Sequence, residues 1–405
     1  MKMLLLYAYF KPEQISSSHL DHDLIEGLLA AGHTVEIVCP TPTRNVDPTV
    51  AWKKHEVLKN GRFSITRFRA PKERRNPILR ALRYFFCNLR SFSVAKRISD
   101  TDAIYCNSTP PILGLVAAKL KKKKKIPFIF CVQDIFPDSL GSTGLSKEGS
   151  FLYRRGLNVA NKIYDAADRI IVISEGFKKN LLAKGVPEEK LVVVPNWTDL
   201  EEIRPVSKEE NRLYEEFGHP RDEFLAIYAG NFGESQGVDV ILEAAKILAD
   251  KPIFFVLFGG GTQYEKIHAA SKSIQNVKVF PLLPAERVSE VYSLGDVDLI
   301  TCKKGVGKAG LPSKTWNILA CNTPIVASFD LESDLADLLR AAGCGQIVEP
   351  ENPQALADAL LLAMEKDEKP TCSTREFVKA TVSKEICVGK YVEVVNKTAA
   401  KGAAV

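Results

Sequence analysis

Residues 311–330 read LPSKTWNILACNTPIVASFD, and this stretch decides the fold. Pro312 fixes φ where a helix can begin, and the residues after it have the apolar spacing of a helix that buries one side, including Trp316. Asn322 lies in a turn, and the apolar run PIVAS (324–328) is typical of a buried parallel strand. A helix, a turn and a buried strand in this order predict a parallel sheet that helices cover on both faces.

The start of the predicted helix carries two polar residues that suit an anion site. Ser313 offers a hydroxyl to nearby backbone N–H groups, and Lys314 adds a positive charge beside the helix N-terminus. Helix N-termini attract phosphate and carboxylate groups. Taken alone, the pattern is explained more simply by an ordinary helix–strand packing unit with a surface lysine. The rest of the sequence has to decide between this interpretation and an anion site.

Apolar strands and helical patterns alternate along the chain, with strands such as DAIYC (102–106) and PFIFCVQD (127–134). A chain of 405 residues is too long for one ordinary core, and the alternation restarts after Asn196. We therefore predict an α/β protein of two doubly wound, Rossmann-like domains joined near 196–206. Ligands of such folds bind at the carboxyl ends of strands, so the cleft between the domains is the expected site.

Cysteine usage and hydropathy exclude several classes of protein. The nine cysteines form no CxxC pair or Cys/His cluster, so we expect reduced thiols in a cytoplasmic protein, with no disulfide framework and no zinc site. The apolar run MKMLLLYAYF (1–10) is too short for a signal peptide and fits a first buried strand better. The sequence has no stretch near the roughly 18 apolar residues of a transmembrane helix.

Positive charge is concentrated in the first half of the chain. Residues 1–200 have a net charge of +13, whereas the remainder has −7, and residues 51–125 hold 20 basic and 4 acidic side chains. Residues 76–98 have helical periodicity with interleaved arginines, and 119–125 contain a lysine run at the end of an apolar segment. Either a solvated basic face or a surface for anionic lipids explains this charge. Nucleic acid is disfavoured, because no binding module accompanies it.

Two turns that contain glycine follow predicted strands, GNFGESQG (230–237) and FGGG (258–261). Glycine allows the backbone to approach a ligand closely, although either turn alone is weak evidence. No stretch matches GxGxxG or GxxxxGK[ST], which disfavours a nicotinamide dehydrogenase and a P-loop kinase. In the first domain, His19 and Asp134 lie at predicted strand ends, where a catalytic role becomes modestly more plausible than elsewhere.

Four stretches, in this order and spacing, together resemble the bacterial glycosyltransferases of family 4, two-domain enzymes of the GT-B fold. They are GLLAAGHTVEIVCP (27–40), VVVPNWTDL (192–200), YAGNFGESQGVDVILEAAK (228–246) and LPSKTWNILACNTPIVAS (311–328). The resemblance extends from Lys2 to about Ala363. VQDIFPDSL, GNFGESQG and PSKTWNILA are most similar to a subgroup that transfers acetamido sugars, of the N-acetylfucosamine type, from UDP donors to surface polysaccharides.

The resemblance implies an acceptor-binding domain at 1–196 and a nucleotide-sugar-binding domain at 197–378. It also implies that a C-terminal helix and tail, 379–405, pack back on the first domain. The family's usual Arg and Lys of the donor domain fall here on Asn231 and Gln236, and its paired glutamates fall near Ala309 and on Asn317.

A diphosphate must then be held by other groups, and the resemblance makes Lys314, with the helix amides after Pro312, our candidate. The alternatives on the preceding loop are Lys303, Lys304 and Lys308. The full set of expected donor-binding residues is Asn231, Phe232, Gln236, Gly260, Gly261, Leu282, Ser313, Lys314 and Asn317.

On the acceptor side, the resemblance implies binding by Ser17, Ser18, His19, Gln133 and Asp134. Asp134 and Lys314 are the expected catalytic residues, the first orienting the acceptor or accepting its proton and the second stabilising the UDP leaving group. The implied reaction retains the anomeric configuration and needs neither a metal nor a cofactor, since the UDP-sugar is the substrate.

The resulting hypothesis is a cytoplasmic enzyme, bound peripherally to the inner face of the membrane, that extends a lipid-linked saccharide in capsule or O-antigen synthesis. Residues 76–98 and 119–125 would hold it at anionic lipids. Two alternatives remain open at this point. One is a nucleotide-sugar 2-epimerase of the same architecture, and the other is a non-catalytic, membrane-docked assembly partner.

Overall fold

Apolar strands alternating with helices build two sheets, which confirms the predicted α/β class. The computed structural model describes residues 1–13, 18–43, 46, 49–73, 76–139, 149–365 and 373–402. Contacts divide the chain into two units, the first comprising Met1–Asn196 with the chain from Cys387 onward and the second Trp197–Ile386. The second division therefore falls at Cys387, within the last helix, instead of at 379.

The first unit contains an eight-stranded sheet in the order β3-β4-β2-β1-β5-β6-β7-β8. Its strands are β1 (Lys2–Leu6), β2 (Thr34–Pro40), β3 (His55–Leu58), β4 (Phe63–Phe68), β5 (Ala103–Asn107), β6 (Phe128–Val132), β7 (Arg169–Val172) and β8 (Leu191–Val193). Its helices include α1 (Ser18–Ala30), α2 (Pro77–Ala95), α3 (Leu113–Lys124), α4 (Phe151–Ala166) and α5 (Glu175–Ala183). All neighbouring strands are parallel except the β3–β4 pair, so seven carboxyl ends lie along one edge.

The second unit contains a parallel six-stranded sheet in the order β11-β10-β9-β12-β13-β14. Its strands are β9 (Phe224–Asn231), β10 (Ile253–Gly260), β11 (Val277–Pro281), β12 (Val297–Thr301), β13 (Ile325–Ser328) and β14 (Gly345–Val348). Its helices are α6 (Leu213–Phe217), α7 (Asp239–Ile247), α8 (Tyr264–Ser271), α9 (Val288–Tyr292), α10 (Lys314–Ala320), α11 (Asp334–Ala342), α12 (Pro353–Glu365) and α13 (Thr374–Val382).

The last helix, α14 (Lys384–Gly402), packs from Cys387 onward on the first unit. The Tyr391 hydroxyl lies 3.1 Å from the Cys131 sulfur at the centre of the sheet. A Cβ atom at Gly27 of α1 would come within 2.1 Å of Val388 Cγ1, so α1 and α14 approach closely only because residue 27 is glycine. Close helix contact of this kind anchors the end of the chain.

The stretch 311–330 folds as predicted from its sequence. It forms α10, a turn in which Asn322 adopts a left-handed conformation (φ 62°), and the fully buried strand β13. The Thr323 hydroxyl closes the turn by donating to the Tyr292 carbonyl at 2.6 Å. Asparagine is one of the few residues that adopt the left-handed region at small cost, which explains why the turn begins there.

Arg375 of α13 fastens the start of the second unit to α10. Its guanidinium donates to the carbonyls of Leu200, Ile203 and Ala320 at 2.6, 2.6 and 2.8 Å. One charged side chain therefore satisfies three carbonyl groups that no regular secondary structure pairs.

We predict that Arg375→Met lowers the free energy of unfolding of the second unit by about 3 kcal/mol, because partly buried carbonyls lose a charged donor. Urea unfolding followed through the fluorescence of Trp197 and Trp316 measures this change. Arg340→Met is the matched control, because the exposed Arg340–Asp337 pair contributes less than about 1 kcal/mol. Equal effects of the two substitutions would contradict the prediction.

Candidate functional site

The two glycine turns of the second unit lie side by side because the strands before them are neighbours. In the β9–β10 register, Gly230 is opposite Gly259 and Asn231 is opposite Gly260. The N–H of Phe232 donates to the Gly260 carbonyl at 2.7 Å, and the N–H of Gln263 donates to the Phe232 carbonyl at 2.8 Å. These bonds join the turns into one surface at the carboxyl edge of the sheet, which we call the glycine edge (residues 230–237 and 259–263).

Phe232 belongs to the core beneath the glycine edge, which corrects the prediction that its side chain contacts a donor. Its ring is fully buried and stacks on Tyr264 at a centroid distance of 6.0 Å. A Cβ atom at Gly259 would lie 2.1 Å from the ring, so the ring occupies the space that any other residue at 259 would need. Glycine at 259 thus serves packing, whereas Gly260 and Gly261 lie further toward the open end.

Five of the predicted donor residues lie close to one another along the glycine edge. Asn231 is exposed, and its amide Nδ2 donates to Gln236 Oε1 at 3.3 Å. A Cβ atom at Gly261 would lie 2.2 Å from Asn231 Oδ1, and one at Gly260 would lie 3.7 Å from the exposed Leu282 side chain. The structure therefore brings together two neutral amides, two glycines and one apolar side chain.

Lys314 points into the sheet and away from the open edge. Its Nζ donates to the carbonyls of Leu299 and Ala229 at 3.0 and 3.2 Å, and it lies 3.8 Å from the centroid of the Tyr228 ring. The predicted surface cation is therefore a half-buried lysine whose ammonium points inward and joins α10 to β9 and β12. Burial lowers the pKa of Lys314 to about 7.

A second buried charge lies near Lys314 and was not anticipated from the sequence. Asp298 of β12 is fully buried, and neither carboxyl oxygen has a hydrogen-bond partner among the described residues. Burial raises the pKa of Asp298 well above its ordinary value, and the positive charge of Lys314 opposes that shift. Burial therefore favours the neutral form of the Asp298 carboxyl. Its place inside an apolar strand, VDLIT, was the one signal available in the sequence.

The start of α10 differs from the predicted anion site. Ser313 is exposed and its hydroxyl makes no capping bond, and the helix that follows has seven residues. Asn317, expected to face a donor, accepts a hydrogen bond from the Thr198 hydroxyl at 2.7 Å. The assignment of the helix amides after Pro312, together with Lys314, to a diphosphate therefore stays a prediction.

Two of the three predicted lysines on the loop after β12 form ion pairs with acidic side chains. Lys303 pairs with Glu234 of the glycine edge, and Lys308 pairs with Glu332 at 3.1 Å. The carboxylate of Asp330 accepts from the N–H groups of Gly305 and Gly307 at 2.8–3.0 Å, which shapes this loop. Glu234 and Asp330 are organising residues that the sequence analysis missed. Their positions directly after strands β9 and β13 were the available signal.

In the first unit, Gln133 and Asp134 follow β6 at the carboxyl edge. The N–H groups of both residues donate to the Ser108 hydroxyl at 3.0 Å, and the Gln133 amide oxygen accepts from Asn196 at 2.9 Å. Asp134 is exposed, and partial desolvation by the protein around it raises the pKa of its carboxyl. A raised pKa suits a carboxylate that accepts a proton.

The remaining acceptor candidates lie at the start of α1. Ser18 begins the helix and His19 is exposed, whereas Ser17 lies outside the described residues. The sequence analysis missed Asp21, one turn into α1, which is buried beside Tyr7 and has a pKa raised to about 7 by burial. Its position next to the predicted His19 was the only clue.

Two family models match almost consecutive parts of the chain. Residues 22–202 match Glycosyltransferase Family 4, and residues 209–376 match Glycosyl transferases group 1. The chain is a glycosyltransferase built from these two domains. WcaI of Escherichia coli strain K12, named for glycosyl transfer in colanic acid biosynthesis, is 25% identical and covers 97% of this chain and 99% of its own. WbjE of Pseudomonas aeruginosa, named as a glycosyltransferase, is 26% identical over 72% of this chain and 73% of its own.

Solved structures establish the GT-B fold of this glycosyltransferase. Sucrose-phosphate synthase from Thermosynechococcus elongatus has a TM-score of 0.77 at 18% identity, with 98% of each chain covered. Alr3699/HepE from Anabaena, solved in complex with UDP, has a TM-score of 0.74 at 16% identity, with 98% of this chain and 100% of that chain covered. The predicted fold is thus confirmed, whereas the N-acetylfucosamine-type subgroup stays a prediction.

The buried ammonium of Lys314 predicts a specific pH dependence of stability. Its pKa is about 7 in the folded protein, below the ordinary 10.5, so the unfolded chain binds more protons between these values. The folded protein should therefore gain stability as pH rises through this window. Relative to Lys314→Met, which cannot titrate, we predict a gain of about 2 kcal/mol between pH 7 and 9.

Urea unfolding of both proteins at several pH values measures this difference. Because Met has a similar length and no charge, the comparison reports the Lys314 charge together with its effect on the neighbouring Asp298 carboxyl. Parallel stability profiles would mean that the ammonium remains solvated in the folded protein.

Proposed function

We propose that this glycosyltransferase moves an N-acetylated amino or deoxyamino sugar from a UDP donor to a lipid-linked saccharide in capsule or O-antigen synthesis. The observation that carries the proposal is the glycine edge, where Asn231, Gln236 and the Gly260–Gly261 turn converge at the carboxyl ends of β9 and β10. Carboxyl edges of parallel sheets are the usual place for nucleotides in this class of fold.

The glycine edge suits a donor diphosphate in three ways. Backbone without side chains at Gly260 and Gly261 permits close approach of the phosphates. Asn231 and Gln236 supply neutral hydrogen bonds, and Leu282 offers an apolar surface beside them. Lys314 contributes from beneath by fixing the ends of β9 and β12, and its charge below about pH 7 favours an anion above it.

The proposed reaction retains the anomeric configuration and requires no metal ion. The acceptor hydroxyl attacks on the face from which UDP departs, and the leaving phosphate oxygen or Asp134 accepts its proton. Asp134 and Gln133 orient the acceptor, helped by the bonds that Ser108 makes to their backbone. Correct positioning and stabilisation of the departing diphosphate supply most of the rate enhancement in such a scheme.

Three similarities support the choice of substrates. WcaI is named for colanic acid biosynthesis, and the structure of HepE contains UDP. The acetamido sugar rests on the resemblance of VQDIFPDSL, GNFGESQG and PSKTWNILA to the subgroup described above. Polysaccharide precursors are built on lipid carriers at the inner face of the membrane, so the proposal places the enzyme in the cytoplasm, peripherally bound to that face.

The donor proposal predicts that UDP and UDP-N-acetylated sugars bind and that NAD does not. Saturation-transfer NMR with each compound tests this. Gly261→Val should weaken UDP binding at least tenfold, because φ is +123° there and a side chain would collide with Asn231.

Gly343→Val is the matched control for backbone strain. It also replaces a glycine of positive φ, but open space surrounds it at the end of α11, so UDP binding should persist. Failure of wild-type protein to bind UDP or any UDP-sugar would overturn the donor proposal.

Of the two predicted membrane-binding stretches, 76–98 and 119–125, the outer face of α2 in the first is the better candidate for membrane contact. Leu82, Phe85 and Leu89 are 60%, 62% and 54% exposed and recur at helical spacing, with the exposed Arg80 and Arg90 among them. Across the described residues, no helix combines the length and apolar character needed to cross a membrane. We therefore propose that α2 lies in the headgroup region of an anionic bilayer.

The lysine run (119–125) lies away from the apolar face of α2, and two of its lysines bind other groups of the first unit. Lys121 pairs with Asp168 at 2.7 Å, and Lys124 donates to the carbonyl of Ile98, beyond the end of α2. The run therefore lies at the opposite end of α2 from Leu82 and Phe85. This separates the predicted basic surface into two regions.

We predict that Leu82→Ser with Phe85→Ser reduces binding to phosphatidylglycerol-containing vesicles at least tenfold. Burial of each apolar side chain in the bilayer would contribute about 1.5–3 kcal/mol to the free energy of binding. Co-sedimentation measures this binding. Lys122→Ser with Lys123→Ser, at the opposite end, should have a smaller effect. Vesicle binding that depends on the lysines alone would contradict the role of α2.

A further inference from the structure

The strand order of the second unit marks the place where a charged ligand should bind. Strands β10 and β11 lie on one side of β9, and β12 to β14 lie on the other, so the order reverses between β9 and β12. In open parallel sheets, ligands bind in the crevice beyond the carboxyl ends of the two strands at such a point. The groups that follow β9 and β12 are therefore the best placed to contact a ligand.

The loop after β12 is bonded directly to the glycine edge at this crevice. The N–H of Lys303 donates to the Ser235 carbonyl at 2.9 Å, and the Thr301 hydroxyl donates to the Gln236 carbonyl at 2.7 Å. These two bonds fix the backbone of Lys303 beside the turn that follows β9. The Lys303 side chain therefore begins at the edge where the proposed donor binds.

The Glu234 carboxylate lies at this crevice and is bonded from two sides. Its Oε1 pairs with the Lys303 ammonium, and its Oε2 accepts from the Gln263 amide at 2.8 Å. Glu234 follows β9, Lys303 follows β12 and Gln263 follows β10, so one carboxylate connects the ends of three neighbouring strands. The Lys303 ammonium holds the pKa of the Glu234 carboxyl below its ordinary value, which keeps it an anion at neutral pH.

This ion pair is open to solvent, so a stronger anion can replace the carboxylate. The side chains of Glu234 and Lys303 are 67% and 37% exposed, and exposed pairs contribute little to stability. A diphosphate has more negative charge and more acceptor oxygens than one carboxylate, and it therefore attracts an ammonium more strongly. Because Asn231 and Gln236 are neutral, such a ligand needs a cation from another part of the edge.

The other two lysines of the loop after β12 are linked to a different part of the sheet. Lys308 pairs with Glu332 at 3.1 Å, and the N–H of Lys304 donates to Glu351 at 3.0 Å. Glu332 and Glu351 follow β13 and β14, which lie beyond β12 from the glycine edge. Of the three lysines predicted as alternatives, Lys303 is therefore the one whose side chain pairs with the glycine edge.

We infer that the Glu234 carboxylate occupies a phosphate position of the donor site in the free protein, and that a donor diphosphate displaces it and binds Lys303 and the Gln263 amide. This inference rests on the proposed donor site. It makes Lys303 a diphosphate-binding residue and Glu234 a residue that lowers donor affinity by competition. An internal anion of this kind disfavours weakly bound anions, because a ligand must replace the bonds of the carboxylate.

Isothermal titration calorimetry with UDP tests this competition through two substitutions of opposite effect. Glu234→Gln removes the competing charge and keeps the size of the side chain, so UDP should bind about threefold more tightly or better. Lys303→Gln removes the ammonium that pairs with the diphosphate, so UDP should bind at least tenfold more weakly. An ion pair with a purely structural role would weaken UDP binding in both variants.

Glu243→Gln and Lys246→Gln are the matched controls. They make the same charge changes in an exposed pair on α7, where UDP affinity should stay within about twofold of wild type. Equal effects in the controls, which would show a general influence of net charge, would overturn the inference. Unchanged or weaker UDP binding by Glu234→Gln would overturn it too. Wild-type protein that binds no UDP would overturn the donor proposal itself, so the two failures are distinguished.

Discussion

The hydrogen bonds of the Lys314 ammonium to carbonyls of β9 and β12 are the constraint on which the candidate donor site depends. The side chain joins α10 to β9 and β12, so residues 311–330 are held beside the strands that lead into the glycine edge. Burial raises the pKa of the neighbouring Asp298 and so favours its neutral form, whereas the positive charge of Lys314 opposes this shift. The charge of Lys314 beneath the glycine edge therefore depends on pH near neutrality.

At the glycine edge itself, side-chain packing determines which residues remain exposed to a ligand. The Phe232 ring fills the space beside Gly259 and thereby places Asn231 and Gly261 at the open edge. The ion pair of Glu234 and Lys303 then joins the edge to the loop after β12, which Asp330 shapes. A negatively charged donor would consequently meet neutral amides and glycine backbone at this edge.

In the first unit, α2 has an unusual distribution of side chains. Its outer face exposes leucine and phenylalanine, whereas its inner stripe carries Arg83, Cys87 and Ser91. An ordinary surface helix has the reverse arrangement. The exposed apolar outer face fits the lipid contact proposed for α2.

Much of the architecture followed from periodicity, because apolar runs separated by helical patterns have few alternatives to parallel sheets. The sequence predicted the elements of 311–330 and the position of each glycine turn after a strand. It could not predict the direction of Lys314 or the burial of Phe232. Both depend on which strand lies alongside, β12 for the lysine and β10 for the phenylalanine, and a local pattern carries no such information.

The buried polar groups escaped prediction for a related reason. Arg83 and Asp21 each occupy a helical position that local sequence alone assigns equally well to solvent, and tertiary contacts turn both inward. The prediction for Ser313 differs in the other direction. The residue type suits helix capping, but its side chain stays exposed and makes no capping bond at this short helix. Side-chain direction, more than secondary structure, separates the expected site from the observed one.

Amide hydrogen exchange with and without UDP tests the central claim most directly, because it locates the nucleotide without relying on catalysis. The account predicts that UDP slows exchange at residues 230–237 and 259–263, with little change in α2. Unchanged exchange at both turns, or protection confined to the first unit, would contradict the assignment of the glycine edge as the donor site.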